Sequence, residues 1–84
     1  MILAWTEAAW NDYLWWQTKD KATLRRINSL LKDIMQHPHE GIGKPERLKL
    51  DLSNFWSRRI TQEHRLVYAV DGETVTVVSC RYHY

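Results

Sequence analysis

Cysteine occurs once in this sequence, at Cys80, so no disulfide can close within the chain and the staple frameworks of small extracellular domains are excluded. Proline occurs twice and glycine three times. Both prolines and two of the glycines fall in the single stretch PHEGIGKPE (38–46), which leaves the remainder almost free of strong breakers. No apolar run is long enough to cross a membrane, and the opening MILAWTEAAW lacks the basic start and cleavage site of a secretory signal. A reducing cytoplasm is the expected setting, with no membrane partner. Glycine-rich phosphate loops, the serine-hydrolase elbow and metal-binding spacings are also missing. His37 and His39 flank Pro38 with no Cys or carboxylate at ligand spacing, so neither a metal site nor another cofactor is expected.

What is present is aromatic surface and a local excess of positive charge. The 84 residues suit one small domain over 1–84, whose modest core makes an oligomer or a partner a fair expectation. Five tryptophans supply large rings to that core. Trp15 and Trp16 are adjacent and cannot both face inward from a helix, so one of them is expected at a contact surface. The net charge is only +2, but it is unevenly spread. Residues 1–43 are balanced, whereas KPERLKLDLSNFWSRRITQEHR (44–65) holds six basic residues against three acidic ones. That describes a basic patch, not a basic protein.

Periodicity divides the chain into helices and then strands. ILAW reads as a short first strand. Thr6 is a suitable N-cap for a helix through EAAWNDYLWWQT, with Trp10, Tyr13 and Leu14 as its expected core stripe. Asp20 caps a second helix whose apolar positions Leu24, Ile27, Leu31, Ile34 and Met35 keep the helical period until His37-Pro38 ends it. Beyond the Gly/Pro loop the period becomes two. RLKL, WSRRI, RLVYAV and TVTVVSC read as four strands, the last two joined by a hairpin at Asp71-Gly72. The expected architecture is α+β: an N-terminal strand and a two-helix hairpin packed on one face of a mainly antiparallel sheet.

Alternation along those strands sorts the polar residues. Trp56, Arg58 and Ile60 share one side of their strand, with Ser57 and Arg59 on the other. One face of the meander is therefore expected to display Lys49, Arg59 and Arg65, with Glu46 at the entry to the first strand and His83 leaving the last. Tyr82, next to His83, is expected to turn toward the core while Tyr84 shares the face of His83. Such a set suits metal-free cleavage of RNA. Glu46 would take the proton of a ribose 2′-OH, the cations would stabilise charge growing on the phosphate, and protonated His83 would give its proton to the leaving 5′-oxygen. Tyrosine rings near the site would stack an unpaired base. A basic sheet face also serves as a plain binding surface, and residue spacing by itself does not separate the two.

GKPERLK, FWSRRIT, EHRLVYAV and the terminal CRYHY together resemble the YoeB toxins of bacterial toxin–antitoxin pairs, within the broader RelE/ParE-like superfamily. The likeness runs the length of the chain. It implies a RelE/ParE-like fold and a ribosome-dependent mRNA endonuclease that cuts the codon in the A site and arrests translation. In this sequence Glu46 would be the general base, His83 the general acid and Arg65 the phosphate stabiliser, assisted by Lys49 and Arg59, with Tyr84 holding the substrate. The implied partners are a YefM-like antitoxin, the 70S ribosome with A-site mRNA, a second copy of the chain, and operator DNA only through the antitoxin complex. Two positions depart from the family pattern. Asn54 stands where glycine is common and is expected to keep a left-handed turn. Arg47 stands where proline is common, and a cation beside Glu46 would favour its ionised form. The rival reading is a non-catalytic inhibitor of the ParE type, which acts on DNA gyrase, or a nucleic-acid-binding module of a repressor complex.

Overall fold

The computed structural model describes residues 1–49 and 54–82. Strand β1 (Ile2–Trp5) leads through Thr6 into helix α1 (Glu7–Lys19), and Asp20 alone separates α1 from helix α2 (Lys21–Gln36). Strands β2 (Glu46–Arg47), β3 (Phe55–Arg59), β4 (Arg65–Asp71) and β5 (Thr74–Ser79) follow. They form one five-stranded sheet in the order β1-β5-β4-β3-β2, antiparallel except for the parallel pairing of β1 with β5. This is the expected α+β arrangement.

Both helix starts follow from their capping side chains. The Thr6 hydroxyl accepts from the Ala9 amide and donates to the Val78 carbonyl, so one residue caps α1 and ties it to β5. The Asp20 carboxylate accepts from the amides of Ala22 and Thr23 and from the Thr23 hydroxyl. Those bonds hold its carboxyl below the usual carboxylate range. At the other end of α2 the His37 amide closes the last turn on Asp33, and Pro38 prevents another.

Helix α2 supplies the larger share of the core. Ile27, Leu30, Leu31 and Ile34 are buried, and at about 1.5–3 kcal/mol for each such side chain they anchor the helix to the sheet. They meet Leu66, Tyr68, Val75 and Val77 from the central strands. In α1 the stripe expected at Trp10, Tyr13 and Leu14 is not the buried one. Ala9 and Trp16 are buried, while Trp10 and Leu14 are exposed. The reason is packing at the flank. Trp10 and Tyr13 stack at 5.8 Å and both lean on Trp5 of β1, which gathers these rings beside the sheet. Of the adjacent pair, Trp16 faces inward and Trp15 is half-buried.

The β4–β5 hairpin forms with Asp71 opposite Thr74, so its loop is Gly72-Glu73. Gly72 takes φ +58 at the first loop position, where glycine carries no steric penalty. The expected RLKL strand is present but, in its described part, shorter and shifted one residue toward Glu46. β2 ends at Arg47, and only the Leu48 amide, bonded to the Phe55 carbonyl, extends the ladder.

Candidate active site at the Arg59–Arg65 end of the sheet

Sheet register brings four polar residues onto the face turned away from the helices. Glu46 lies opposite Ser57, and Arg59 lies opposite Arg65. Directly paired residues share a face, and period two puts Ser57 with Arg59. A carboxylate oxygen of Glu46 is 3.9 Å from Nη1 of Arg65, which also makes a long 3.5 Å contact to the Ser57 hydroxyl. The Glu46 side chain is 66% exposed and that of Arg65 28%. An ion pair this open contributes about 0–1 kcal/mol, so stability does not account for it. Arg59 and Arg65 are like charges on directly opposed residues, an unfavourable placement in a sheet unless an anion sits between them. The arrangement offers an accessible carboxylate beside one arginine and a second arginine on the opposed residue.

Glu46 is delivered by a loop built around one buried side chain, Arg58. Its guanidinium is fully buried and uses every donor it has. Nε donates to the Tyr68 hydroxyl; Nη1 donates to Asp33 and to the Ile42 carbonyl; Nη2 donates to the carbonyls of His37 and Glu40. Tyr68 passes the bond on to the Pro38 carbonyl at 2.7 Å. Asp33 also accepts from the Ile42 amide. The Arg58 bond, ahead of other causes, holds the Asp33 carboxyl below its ordinary value, while burial pushes the Tyr68 phenol up. The loop must run close over this cluster. A Cβ at Gly41, where φ is +124, would fall 2.0 Å from the Asp33 carboxylate. One of the six basic residues of the 44–65 stretch is thus internal and compensated, and adds nothing to a surface patch.

Arg65 is approached from the opposite side by the C-terminal tail. A bulge between β4 and β5 at Val67/Tyr68 leaves Val67 opposite Ser79, and the next residue, Cys80, is buried beneath α1. There Trp16 Nε1 donates to the Cys80 carbonyl at 2.8 Å, and the Cys80 amide donates to Asp12. Burial foremost, with the Asp12 charge, pushes the Cys80 thiol up to about 12. Arg81 lies over the Trp15 ring with its guanidinium carbon 3.6 Å from the centroid, and its buried Nε has no hydrogen-bond partner among the described residues. Tyr82 then takes φ +61, donates its amide to His64 Nδ1 at 2.6 Å, and accepts the Arg65 amide on its carbonyl at 2.9 Å.

Glu46, Arg59 and Arg65 are therefore brought together. Lys49 is exposed beyond the end of β2, so no strand pairing sets its face beside them. His83 and Tyr84 lie outside the described residues. Tyr82 is exposed and not turned to the core, because its left-handed backbone swings the ring outward against His64. Arg47 pairs with Trp56 on the helix-covered face, opposite to Glu46, and so does not neighbour the carboxylate as expected. Asn54 is absent from the residues with positive φ; its side chain instead accepts from Trp56 Nε1 at 2.6 Å. Sequence reasoning missed the roles of Arg58 and His64. An arginine on the apolar side of a strand must find partners, and that signal was available for Arg58. Two residues along β3 from Ser57, a shallow cavity of about 610 Å³ opens between Phe55, Ala69, Thr76, Val78 and Asp71.

Comparison with known proteins places this geometry in a family. The sequence profile described as "YoeB-like toxin of bacterial type II toxin-antitoxin system" matches residues 5–84. The chain belongs to that family. It is 57% identical to Toxin YoeB of Escherichia coli (strain K12) across the whole of both chains. The structure of a YoeB dimer from Staphylococcus aureus superposes with a TM-score of 0.92 at 46% identity, covering all of this chain and 98% of that one. A heterotetrameric YoeB–YefM toxin–antitoxin complex from the same organism gives 0.89 at 46% identity, with the same coverage. Among the described residues of this YoeB-like toxin no helix is long and apolar enough to cross a membrane.

Proposed function

We propose that this YoeB-like toxin is a ribosome-dependent endoribonuclease that cuts mRNA in the A site and thereby stops translation. The observation that carries the reading is the exposed Glu46 carboxylate 3.9 Å from Arg65, with Arg59 directly opposite Arg65 in the sheet. In this reaction Glu46 takes the 2′-OH proton of a ribose. The 2′-oxygen attacks the adjacent phosphorus, and Arg65, with Arg59 and Lys49, stabilises the charge that grows on the non-bridging oxygens. The bond to the 5′-oxygen breaks as His83 gives that oxygen a proton, leaving a 2′,3′-cyclic phosphate and a 5′-hydroxyl. No water is consumed in this step. Tyr84 helps to hold the substrate. Support for the tail's part comes from the Tyr82 carbonyl, bonded to the Arg65 amide one residue before His83. Arginine keeps its charge throughout the working range and matches phosphate with a planar fork.

The proposed cellular frame extends what the solved relatives support, a YoeB dimer and a YoeB–YefM complex. The toxin acts in the cytoplasm as a single domain, forms homodimers, is silenced by a YefM-like antitoxin and joins operator DNA only through that antitoxin. Primer extension on an mRNA translated in vitro tests the activity, with wild type, Glu46→Ala and His83→Ala, each with and without ribosomes. A cut inside the A-site codon by wild type on ribosomes, lost in both variants, is the expected result. Intact mRNA with wild type would refute the reading and favour a non-catalytic inhibitor.

A further inference from the structure

His64 stands at the junction of the tail and the site, yet the chemistry above gives it no part. It is the last residue of the β3–β4 turn, immediately before Arg65. Its backbone is fixed: the amide donates to the Thr61 hydroxyl, and the carbonyl accepts from the amides of Ile60 and Thr61. Its ring stands perpendicular to that of buried Trp16 with centroids 4.8 Å apart, and lies 5.3 Å from the Tyr82 ring. Trp16 in turn holds the Cys80 carbonyl. The contacts therefore close a circuit from α1 to the tail, through His64 and back to α1.

One bond in the circuit is chemically specific. The Tyr82 amide donates to His64 Nδ1 at 2.6 Å, so that nitrogen carries no proton and the neutral ring holds its hydrogen on Nε2. Tyr82 is not a glycine, and φ +61 is a left-handed conformation that crowds its Cβ, kept only where the surroundings impose it. Among the described residues, the Tyr82 backbone is held by the acceptor on His64 and by the Arg65 amide bonded to its carbonyl, while Arg81 contacts its ring and hydroxyl. Both backbone contacts belong to neighbouring residues at the start of β4.

We propose that His64 is a positioning residue: its Nδ1 fixes the Tyr82 peptide, and with it the point from which the chain continues to the acid His83. This rests on the nuclease reading for its catalytic consequence but not for the clamp itself. Two substitutions separate acceptor from ring. His64→Phe keeps the aromatic contacts with Trp16 and Tyr82 and removes the acceptor. His64→Asn removes the ring and places an amide oxygen at the same number of bonds from the backbone as Nδ1.

The full chain is used throughout, with hydrogen exchange at the Tyr82 amide and cleavage kinetics on programmed ribosomes over a range of toxin concentrations. His64→Phe is expected to lose Tyr82 protection and about ten-fold or more in kcat, with KM within about two-fold, the signature of a misplaced reacting group. His64→Asn is expected to restore protection and to keep kcat within about three-fold of wild type. Protection and full kcat in His64→Phe, or loss of both in His64→Asn, would overturn the proposal by reducing His64 to ring packing. If wild type cut no RNA, the nuclease reading and the catalytic consequence would fall together, while Tyr82 exchange would still decide whether His64 clamps the tail.

Discussion

Replacing Arg58 with lysine keeps a positive charge beside Asp33 but reduces five N–H donors on a planar fork to three on a single atom. In the native cluster those five donors reach five acceptors: the Tyr68 hydroxyl, Asp33, and the carbonyls of His37, Glu40 and Ile42. Lysine leaves at least two of them without a donor. An orphaned buried acceptor costs about 1–3 kcal/mol, and the loop carbonyls can recover water once freed, so the lower part of that range applies to each. The expected loss is about 2–3 kcal/mol, a large fraction of the roughly 5–15 kcal/mol that holds a domain together. Urea unfolding measures it directly. With a slope of about 1 kcal/mol per molar for so small a chain, the midpoint should fall by about 2–3 M with the slope unchanged. A midpoint within about 0.5 M of wild type would show that charge alone, and not the fork, holds the loop that presents Glu46.

Three further outcomes follow from the same contacts. The Asp33 carboxyl lies below its ordinary value in the folded state, so its contribution is full above the unfolded value near 3.8 and is lost as pH falls through the folded one. Acid unfolding should therefore begin at higher pH for Asp33→Ser than for wild type, and coincident curves would contradict the pairing. The Cys80 thiol, raised to about 12, should resist iodoacetamide in the folded protein at pH 8.5 and react on denaturation, as judged by mass spectrometry. Thr6→Ala removes both the α1 cap and the link to the Val78 carbonyl, with an expected cost of about 1–2 kcal/mol by thermal or urea unfolding.

The fold was legible because its signals are local. Capping side chains marked both helix starts, the change of period after Pro45 marked the passage from helices to sheet, and Asp71-Gly72 marked the hairpin. What was not legible depends on contacts between distant segments. Trp10 and Leu14 fit a helical stripe, but the neighbouring Trp5 and Tyr13 draw Trp10 to the flank, and small Ala9 provides the face that meets the sheet. The β4–β5 bulge leaves no mark in TVTVVSC, since every residue of that run is an acceptable strand former. The left-handed turn at Tyr82 has no glycine or asparagine to announce it.

The site divides along the same line. Alternation grouped Arg59 with Arg65 correctly, because β3 and β4 are long and well paired. It left Lys49 without a set face and misjudged Arg47, because β2 is two residues long and its register is set by the loop before it. That loop is shaped by Arg58, whose partner Asp33 lies on α2, and by the Gly43 carbonyl, which accepts from the Arg59 amide at 2.7 Å. Two anchored segments therefore converge on one end of the sheet. The Arg58-centred loop brings Glu46 in beside Arg65, and the tail clamped by Asp12, Trp16 and His64 brings Tyr82 to the Arg65 backbone. The pair on the surface contributes almost nothing to stability, so its geometry has to be imposed from beneath. Arg58 and His64 do that from adjacent elements, and each acts through hydrogen bonds and not through its bulk alone.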